Sequence, residues 1–124
     1  MIAVSPSEME IIQSIIKKHT PDCDVLAFGS RLKWTHNDAS DLDLAIKGSE
    51  KLPAKTIFNM KEDFMESDIP FKVDVLDYHR ISDAFRGIID GGNVRIFEGT
   101  SKGVDFEFRI TKISNIASVI ASNR

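Results

Sequence analysis

The sequence predicts a single α+β domain of the two-layer α/β type, with helices packed against one β-sheet. Segments with helical spacing of apolar residues alternate with short extended apolar runs, in the order α-β-β-α-β-α. The size agrees, because 124 residues with 42% hydrophobic and 28% charged residues suit one globular domain with an ordinary polar surface. The formal net charge of −3 argues against a stand-alone nucleic-acid-binding protein, which is usually basic.

The cysteine content and the hydropathy pattern bear on the compartment. Cys23 is the only cysteine, so no intrachain disulfide can form, which fits a reducing cytoplasm. The N-terminal residues lack the basic and then apolar pattern of a signal peptide, and no apolar run approaches the ~20 residues of a membrane span. We therefore expect a cytoplasmic protein without a membrane segment.

The first helix is predicted to begin after Ser5 and to end near His19. Ser5 is a favourable N-cap, Pro6 suits the first helical position, and Glu8 completes a capping box. The helix must end before Pro21, which disfavours helical backbone at the preceding residue. Its apolar stripe is predicted to consist of Met9, Ile11, Ile12, Ile15 and Ile16.

Two short strands follow, Asp24 to Phe28 and Asp41 to Ile46, with a polar loop between them. Gly29 ends the first strand and permits both a tight turn and a close approach of the backbone to a ligand. Ser30 is predicted to start a short helix through Trp34. The free N–H groups of that helix, with the Ser30 hydroxyl, would form an anion site.

The second strand carries two carboxylates, Asp41 and Asp43. Residues two apart in a strand share a face, so both carboxylates point the same way, and Leu42 and Leu44 point to the opposite face. Two adjacent carboxylates repel one another and lose hydration, which costs stability. A bound divalent cation would remove that cost, because hard oxygen ligands suit Mg²⁺.

A third carboxylate, Asp74, lies in the middle of the third predicted strand, Phe71 to Asp77. Strand alternation places it on the face opposite to two valines, and an acidic residue in an apolar strand requires a physical reason. Two interpretations are open. Asp74 joins the first two carboxylates if the strands are neighbours, or it is a half-exposed residue paired with Lys72 or Arg31.

The remaining patterns predict further elements. Trp34 would either stack on a nucleobase or pack under the loop, and His36 is interpreted as a solvated loop residue. Asp77 is interpreted as a turn or cap residue. The other predicted elements are a second long helix over about Ala54 to Glu66, a helix over Asp83 to Ile89 capped by Ser82, and a last strand or extended edge over Asn93 to Glu98.

Gly29-Ser30, ten further residues and then Asp41-x-Asp43 resemble the signature of the nucleotidyltransferase superfamily related to DNA polymerase beta. The small size and the framing residues resemble its minimal nucleotidyltransferase branch, over roughly Ser5 to Glu98. The resemblance implies a nucleotidyltransferase fold with a mixed β-sheet flanked by helices, and a third carboxylate on a following strand. It implies that the catalytic residues and metal ligands are Asp41, Asp43 and Asp74, and that the nucleotide-binding residues are Gly29, Ser30 and Arg31.

The same resemblance implies a reaction and a partner. A nucleoside monophosphate is transferred from a triphosphate to a hydroxyl, with two Mg²⁺ ions about 3.5–4 Å apart. Many members of the branch are antitoxins encoded beside a HEPN-domain protein. We therefore expect AMP transfer from ATP to a tyrosine hydroxyl of a HEPN toxin, a hetero-oligomer with that toxin, and no direct contact with nucleic acid.

Two alternatives remain open at this point. The chain would act as a non-catalytic antitoxin that neutralises its partner by contact, or as a nucleotidyltransferase that modifies a small molecule or an RNA. The nucleotidyltransferase domain is expected to span residues 1–100. Residues 101–124 form a C-terminal extension whose apolar residues alternate first as in a strand and then recur as in a helix, and the resemblance assigns it no role.

Overall fold

The computed structural model describes residues 2–32 and 40–100. The part described contains three α-helices, four β-strands and two short 3₁₀ helices. Their bounds are α1 Pro6–His19, β1 Asp24–Phe28, β2 Leu42–Lys47, α2 Ala54–Met65, β3 Val73–Asp77, α3 Asp83–Asp90 and β4 Val94–Phe97, with 3₁₀ helices at Ser30–Leu32 and Tyr78–Arg80. None of the helices within these ranges combines the length and the apolar character that a bilayer-spanning helix requires.

The four strands form one sheet in the order β3-β2-β1-β4. β1 runs antiparallel to both β2 and β4, whereas β2 and β3 run parallel and are joined by α2. A parallel pair requires a crossover connection, and a helix is the usual one. The sheet is therefore mixed, and the predicted α+β class with helices flanking the sheet is confirmed.

The sheet buries both of its faces. On one face, α1 and α2 cover a core in which Ile12, Ile16, Leu44 and Met60 are fully buried. Each such side chain contributes about 1.5–3 kcal/mol relative to an exposed one. On the other face, a smaller cluster forms around α3, and its buried members are Leu26, Phe28, Ala45, Tyr78 and Ile89. The smaller cluster leaves part of its face open beside β2 and β3.

The predicted capping box at the start of α1 is confirmed. The Glu8 amide donates to Ser5 Oγ at 3.1 Å, and the Ser5 amide donates to Glu8 Oε1 at 2.8 Å. At the other end, His19 Nε2 lies 2.6 Å from Asp63 Oδ2 of α2, and Lys18 Nζ lies 3.0 Å from the same oxygen. Hydrogen bonds from His19 and then Lys18 lower the pKa of Asp63. These contacts join the two helices of the larger layer.

Asp77 is a buried cap residue at the end of β3, as predicted. It is 4% exposed, and it accepts hydrogen bonds from the amides of Leu52 at 2.7 Å and His79 at 2.9 Å. The first bond fastens the loop that enters α2 to the strand that follows α2. The same carboxylate lies 3.4 Å from Arg80 Nε, so its charge is paired.

Three strands have bounds that differ from the predicted ones, and β4 spans Val94–Phe97 rather than Asn93–Glu98. β3 begins at Val73 rather than Phe71, and the centre of the Phe71 ring, before the strand, lies 3.7 Å from the Arg31 guanidinium carbon. β2 begins at Leu42 and extends to Lys47, which pairs with Asp24. The predictions for Trp34, His36 and the extension 101–124 lie outside the described residues.

Candidate active site

Three strands meet at one end of the sheet, where β1 finishes and β2 and β3 begin. Asp43 lies in register with Phe28 of β1 on one side and with Asp74 of β3 on the other. Residues in register on neighbouring strands point to the same face, and the strands are about 4.8 Å apart. Asp43 and Asp74 are therefore side by side, on the face that α3 covers only in part.

The three predicted carboxylates act on one another. Asp41 immediately precedes β2 and shares the face of Asp43, two residues away. The pKa of Asp43 is raised, first by burial and then by the negative charges of Asp74 and Asp41, and Lys72 opposes this shift. Such a rise means that the ionised carboxylate is held against a cost in the folded chain. Carboxylates whose pKa is shifted by burial and by neighbouring charges are found at functional sites more often than expected by chance.

The Gly29 turn lies directly against this acidic group. Gly29 has φ +90°, a backbone conformation that L side chains rarely adopt. A Cβ at this position would lie 3.2 Å from Cγ of Asp43 and would overlap Asp43 Oδ2. Glycine is therefore required both for the turn and for the close approach of the main chain to the carboxylate. The Gly29 turn and the strand that carries Asp43 are therefore adjacent in the structure, as predicted.

Ser30 follows at the start of the 3₁₀ helix Ser30–Leu32, in which the Leu32 amide donates to the Gly29 carbonyl at 3.1 Å. Ser30 is partly exposed, so its hydroxyl lies at the surface of the turn. The predicted helix through Trp34 is described only as far as Leu32. The described part of this anion site is thus one tight turn rather than a long helix.

Arg31 has a different place from the other predicted nucleotide-binding residues. It is 6% exposed, its Nε donates to the Ser40 carbonyl at 2.8 Å, and an Nη donates to the Ala3 carbonyl at 2.8 Å. Its guanidinium also covers the Phe71 ring. These contacts tie the N-terminal segment to the residue immediately before Asp41, so the contacts seen here are structural.

The structure also bears on the alternative interpretation of Asp74 as a paired surface residue. Asp74 is exposed, and within residues 2–32 and 40–100 it forms no ion pair with Lys72 or Arg31. Lys72 acts instead on Asp43, whose pKa it lowers. Sequence reasoning considered Lys72 only as a partner of Asp74 and missed this role, although residues 72 and 74 share a strand face.

The donor set fits Mg²⁺ in one particular way. In the part of the chain that the structure describes, no group of three carboxylate, imidazole or thiol side chains encloses a cation by itself. Mg²⁺ is usually bound by one or two carboxylates together with waters and substrate phosphates, rather than by a closed protein cage. An open set of oxygen ligands beside the Gly29 turn suits that mode, and it does not suit the closed tetrahedral sites of structural zinc.

Comparisons with known proteins agree with this geometry. The family model of the polymerase beta nucleotidyltransferases matches residues 10–102. The chain is 43% identical over 86 residues to the probable protein adenylyltransferase MntA of Haemophilus influenzae, covering 69% of this chain and 75% of that protein.

Solved structures show the same fold. A chain from a crystal structure of a toxin–antitoxin with AMP-PNP superposes with a TM-score of 0.61 at 16% identity, over 93% of this chain and 96% of that one. A chain from the tri-AMPylated HEPN toxin of Shewanella oneidensis in complex with an MNT antitoxin gives a TM-score of 0.59 at 15% identity, over 94% and 95%. With the Gly29-Ser30 turn set against Asp41 and Asp43, these matches place the chain in the polymerase beta nucleotidyltransferase family, in its minimal nucleotidyltransferase branch.

Proposed function

We propose that this chain is a Mg²⁺-dependent protein adenylyltransferase that transfers AMP from ATP to a hydroxyl of a HEPN-domain toxin and so acts as its antitoxin. The observation that carries the proposal is the register of Asp43 with Asp74, directly opposite the Gly29 turn. The name of the Haemophilus influenzae relative supports a protein acceptor. The likeness to chains from toxin–antitoxin complexes, one with AMP-PNP and one with an AMPylated HEPN toxin, supports the nucleotide and the partner.

The Gly29-Ser30 turn would hold the phosphate end of ATP. Main-chain N–H groups and a hydroxyl are the donors that phosphate oxygens accept from most readily in such turns. The absence of a side chain at Gly29 lets the phosphates approach within reach of Asp43. We assign Arg31 a positioning role, because its guanidinium donates hydrogen bonds to the carbonyls of Ala3 and Ser40.

The carboxylates would divide the remaining work. Asp41 and Asp43 would hold Mg²⁺, and Asp74, the most exposed of the three, would also meet the acceptor hydroxyl. When bound, Mg²⁺ neutralises charge on the phosphates and on the attacking and leaving oxygens. The hydroxyl oxygen forms a bond to the α-phosphorus of ATP, the bond from that phosphorus to the pyrophosphate oxygen breaks, and Asp74 takes the hydroxyl proton.

The openness of the site favours an acceptor that is carried by another protein. Asp74 is exposed, on the outermost strand of the described sheet, and it is not part of the apolar cluster around α3. A partner that docks there would position its hydroxyl and exclude water at once. We place this reaction in the cytoplasm, where a chain with one cysteine and no disulfide stays reduced.

The test is a transfer assay with the proposed HEPN partner. We expect ATP labelled at its α-phosphate to label that protein in the presence of Mg²⁺, and we expect Asp43→Asn to reduce the label to background. Asp68→Asn is the matched control, because Asp68 is an exposed carboxylate in the loop after α2 and lies outside the paired strands that carry Asp43 and Asp74. The same variants are then tested for neutralisation of the toxin in cells.

The results separate the proposal from neutralisation by contact alone. An antitoxin that acts by contact would neutralise equally well with Asp43→Asn, and that result would overturn the proposed mechanism. Absence of label with the wild-type chain, together with label on a small molecule or an RNA, would replace the protein acceptor by that substrate.

A further inference from the structure

A groove of about 370 Å³ lies between the C-terminal half of α2 and the start of β3. Its floor consists of Phe64, Ile69 and Val73, which are buried side chains of the larger core. Asp74 also lines the groove. We call it the α2–β3 groove. It is a largely apolar channel at the edge strand β3, which also carries the carboxylate to which we assign the acceptor hydroxyl.

Apolar side chains stand on both sides of the groove, Met65 on one and Phe71 on the other, and the Phe71 ring is held in place by a neighbouring side chain. Met65 of α2 is 79% exposed, which is unusual for a long apolar side chain, and it lines the groove. Phe71 forms part of the opposite side and also lines a second cavity of about 560 Å³, which Arg31 lines as well. The Arg31 guanidinium lies 3.7 Å from the centre of the Phe71 ring. The ring is therefore held in place from the side of the second cavity.

The groove carries positive charge although the chain is acidic. Lys61 and Lys72 line it, and both are exposed. Within residues 2–32 and 40–100, neither lysine forms an ion pair. The formal net charge of the chain is −3, so two unpaired ammonium groups beside an apolar channel are a local exception. A segment with a carboxylate next to an apolar side chain complements this arrangement.

The edge of β3 can also contribute main-chain hydrogen bonds. β3 is the outermost strand of the described sheet. The Lys72 carbonyl accepts from the Leu42 amide at 2.9 Å, so it points toward β2. Since the N–H and C=O groups of successive strand residues point to opposite sides, those of Val73 point outward along the groove. An extended segment of another protein can pair with such an edge.

The positions of Gly29, Asp43 and Asp74 across the sheet indicate which substrate the groove would bind. Gly29 lies on the β1 side of Asp43, and Asp74 lies on its β3 side. A nucleotide held by the Gly29 turn therefore approaches from the β1 side. A hydroxyl that loses its proton to Asp74 must lie within hydrogen-bond reach of that carboxylate. The residues that flank the hydroxyl must then pass over the β3 side.

We infer that the α2–β3 groove binds the acceptor segment of the partner protein. The segment is extended, and it places its hydroxyl at Asp74, an apolar side chain between Met65 and Phe71, and a carboxylate beside Lys61 or Lys72. The inference rests on the proposed function, because it assigns the acceptor subsite of the same reaction. It makes Met65 and Lys61 specificity-determining residues outside the acidic group.

The experiment measures steady-state transfer of labelled AMP to the purified HEPN partner with Met65→Asp and Lys61→Glu. We expect each change to raise the KM for the partner about tenfold or more, because each adds a negative charge and removes a favourable contact in the groove. The kcat at saturating partner and the KM for ATP should stay within about twofold of wild type. Since both residues are exposed on α2, folding should be unaffected, and circular dichroism checks this.

Phe58→Asp is the matched control. Phe58 is 60% exposed on the same helix, seven positions before Met65, and it does not line the groove. The change is the same in charge and similar in size, so an unchanged KM for the partner is expected.

The outcomes distinguish this inference from the proposed function. If the wild-type chain labels the partner and Met65→Asp and Lys61→Glu leave the KM for the partner unchanged, the groove assignment is overturned and the proposed function stands. If the variants raise the KM for ATP instead, the groove belongs to the nucleotide, and the assignment is likewise overturned. If the wild-type chain labels nothing, the proposed function itself fails.

Discussion

Replacing Gly29 by alanine tests the close packing of the turn against the acidic group. The new Cβ would lie 3.2 Å from Cγ of Asp43 and would overlap Oδ2, so the carboxylate must move by on the order of 1 Å. The backbone at φ +90° must also strain or relax, which costs about 1–3 kcal/mol for a residue with a side chain. A displacement of about 1 Å in a reacting group lowers a rate by about 100-fold.

We therefore expect Gly29→Ala to lower the rate of AMP transfer by about 100-fold and to lower the free energy of unfolding by about 1–3 kcal/mol. The rate is measured with saturating ATP and partner, and the stability by urea unfolding monitored by circular dichroism. Gly87→Ala is the control, because nothing lies within 4 Å of a Cβ at that helical position. It should keep the rate and gain about 0.5–1 kcal/mol. A Gly29→Ala chain with the wild-type rate and urea midpoint would refute the packing of this turn against Asp43.

Three further predictions concern charged groups. Because burial and the charges of Asp74 and Asp41 raise the pKa of Asp43, stability from this group is lost as the pH rises through the raised pKa. Asp43→Asn should therefore unfold at a higher urea concentration than wild type at neutral pH, and the difference should vanish when the pH is low enough to protonate both states. Hydrogen bonds from His19 and Lys18 lower the pKa of Asp63, so its contribution is present above the ordinary carboxyl pKa and lost as the pH falls through the lowered one. Asp63→Asn should lower the urea midpoint at neutral pH and leave it unchanged at about pH 2; an equal loss at both pH values would contradict the pairing. Arg31→Ala should lower the free energy of unfolding by about 1.5–3 kcal/mol for each carbonyl bond that it removes, and a variant of wild-type stability with a raised KM for ATP would show that Arg31 binds phosphate instead.

Local signals predicted the elements well, because they depend on neighbouring residues. The capping box of Ser5 and Glu8 lies within one turn of helix, and alternation along β3 places Asp74 opposite to Val73 and Val75. Both follow from backbone geometry alone. The identification of Asp41 and Asp43 as a pair on one face follows in the same way.

The arrangement of the strands required the family resemblance. Nothing in the local sequence states that β3 runs parallel to β2 or that Asp74 stands in register with Asp43. That register results from packing α2 against the sheet, which is a property of the whole fold. The resemblance supplied it, and the geometry agrees with the resemblance.

The environment of Arg31 was beyond sequence reasoning for a related reason. Its partners include the carbonyl of Ala3, 28 positions earlier in the sequence, and the ring of Phe71, which follows α2 in the sequence. A basic residue beside a Gly-Ser turn suggests phosphate binding, and only the folded chain shows that the guanidinium is buried.

Within residues 2–32 and 40–100, β3 lies at the border of the sheet, and this has a consequence for when the three carboxylates come together. A border strand has a strand neighbour on one flank only, and such strands open at a smaller free energy than interior ones. The residue assigned to take the proton is thus carried by a less protected strand, whereas its companion Asp43 rests on an interior strand held on both flanks. A protein that docks along this border would keep β3 paired with β2. Binding of the acceptor protein would therefore itself bring Asp74 into place beside Asp43.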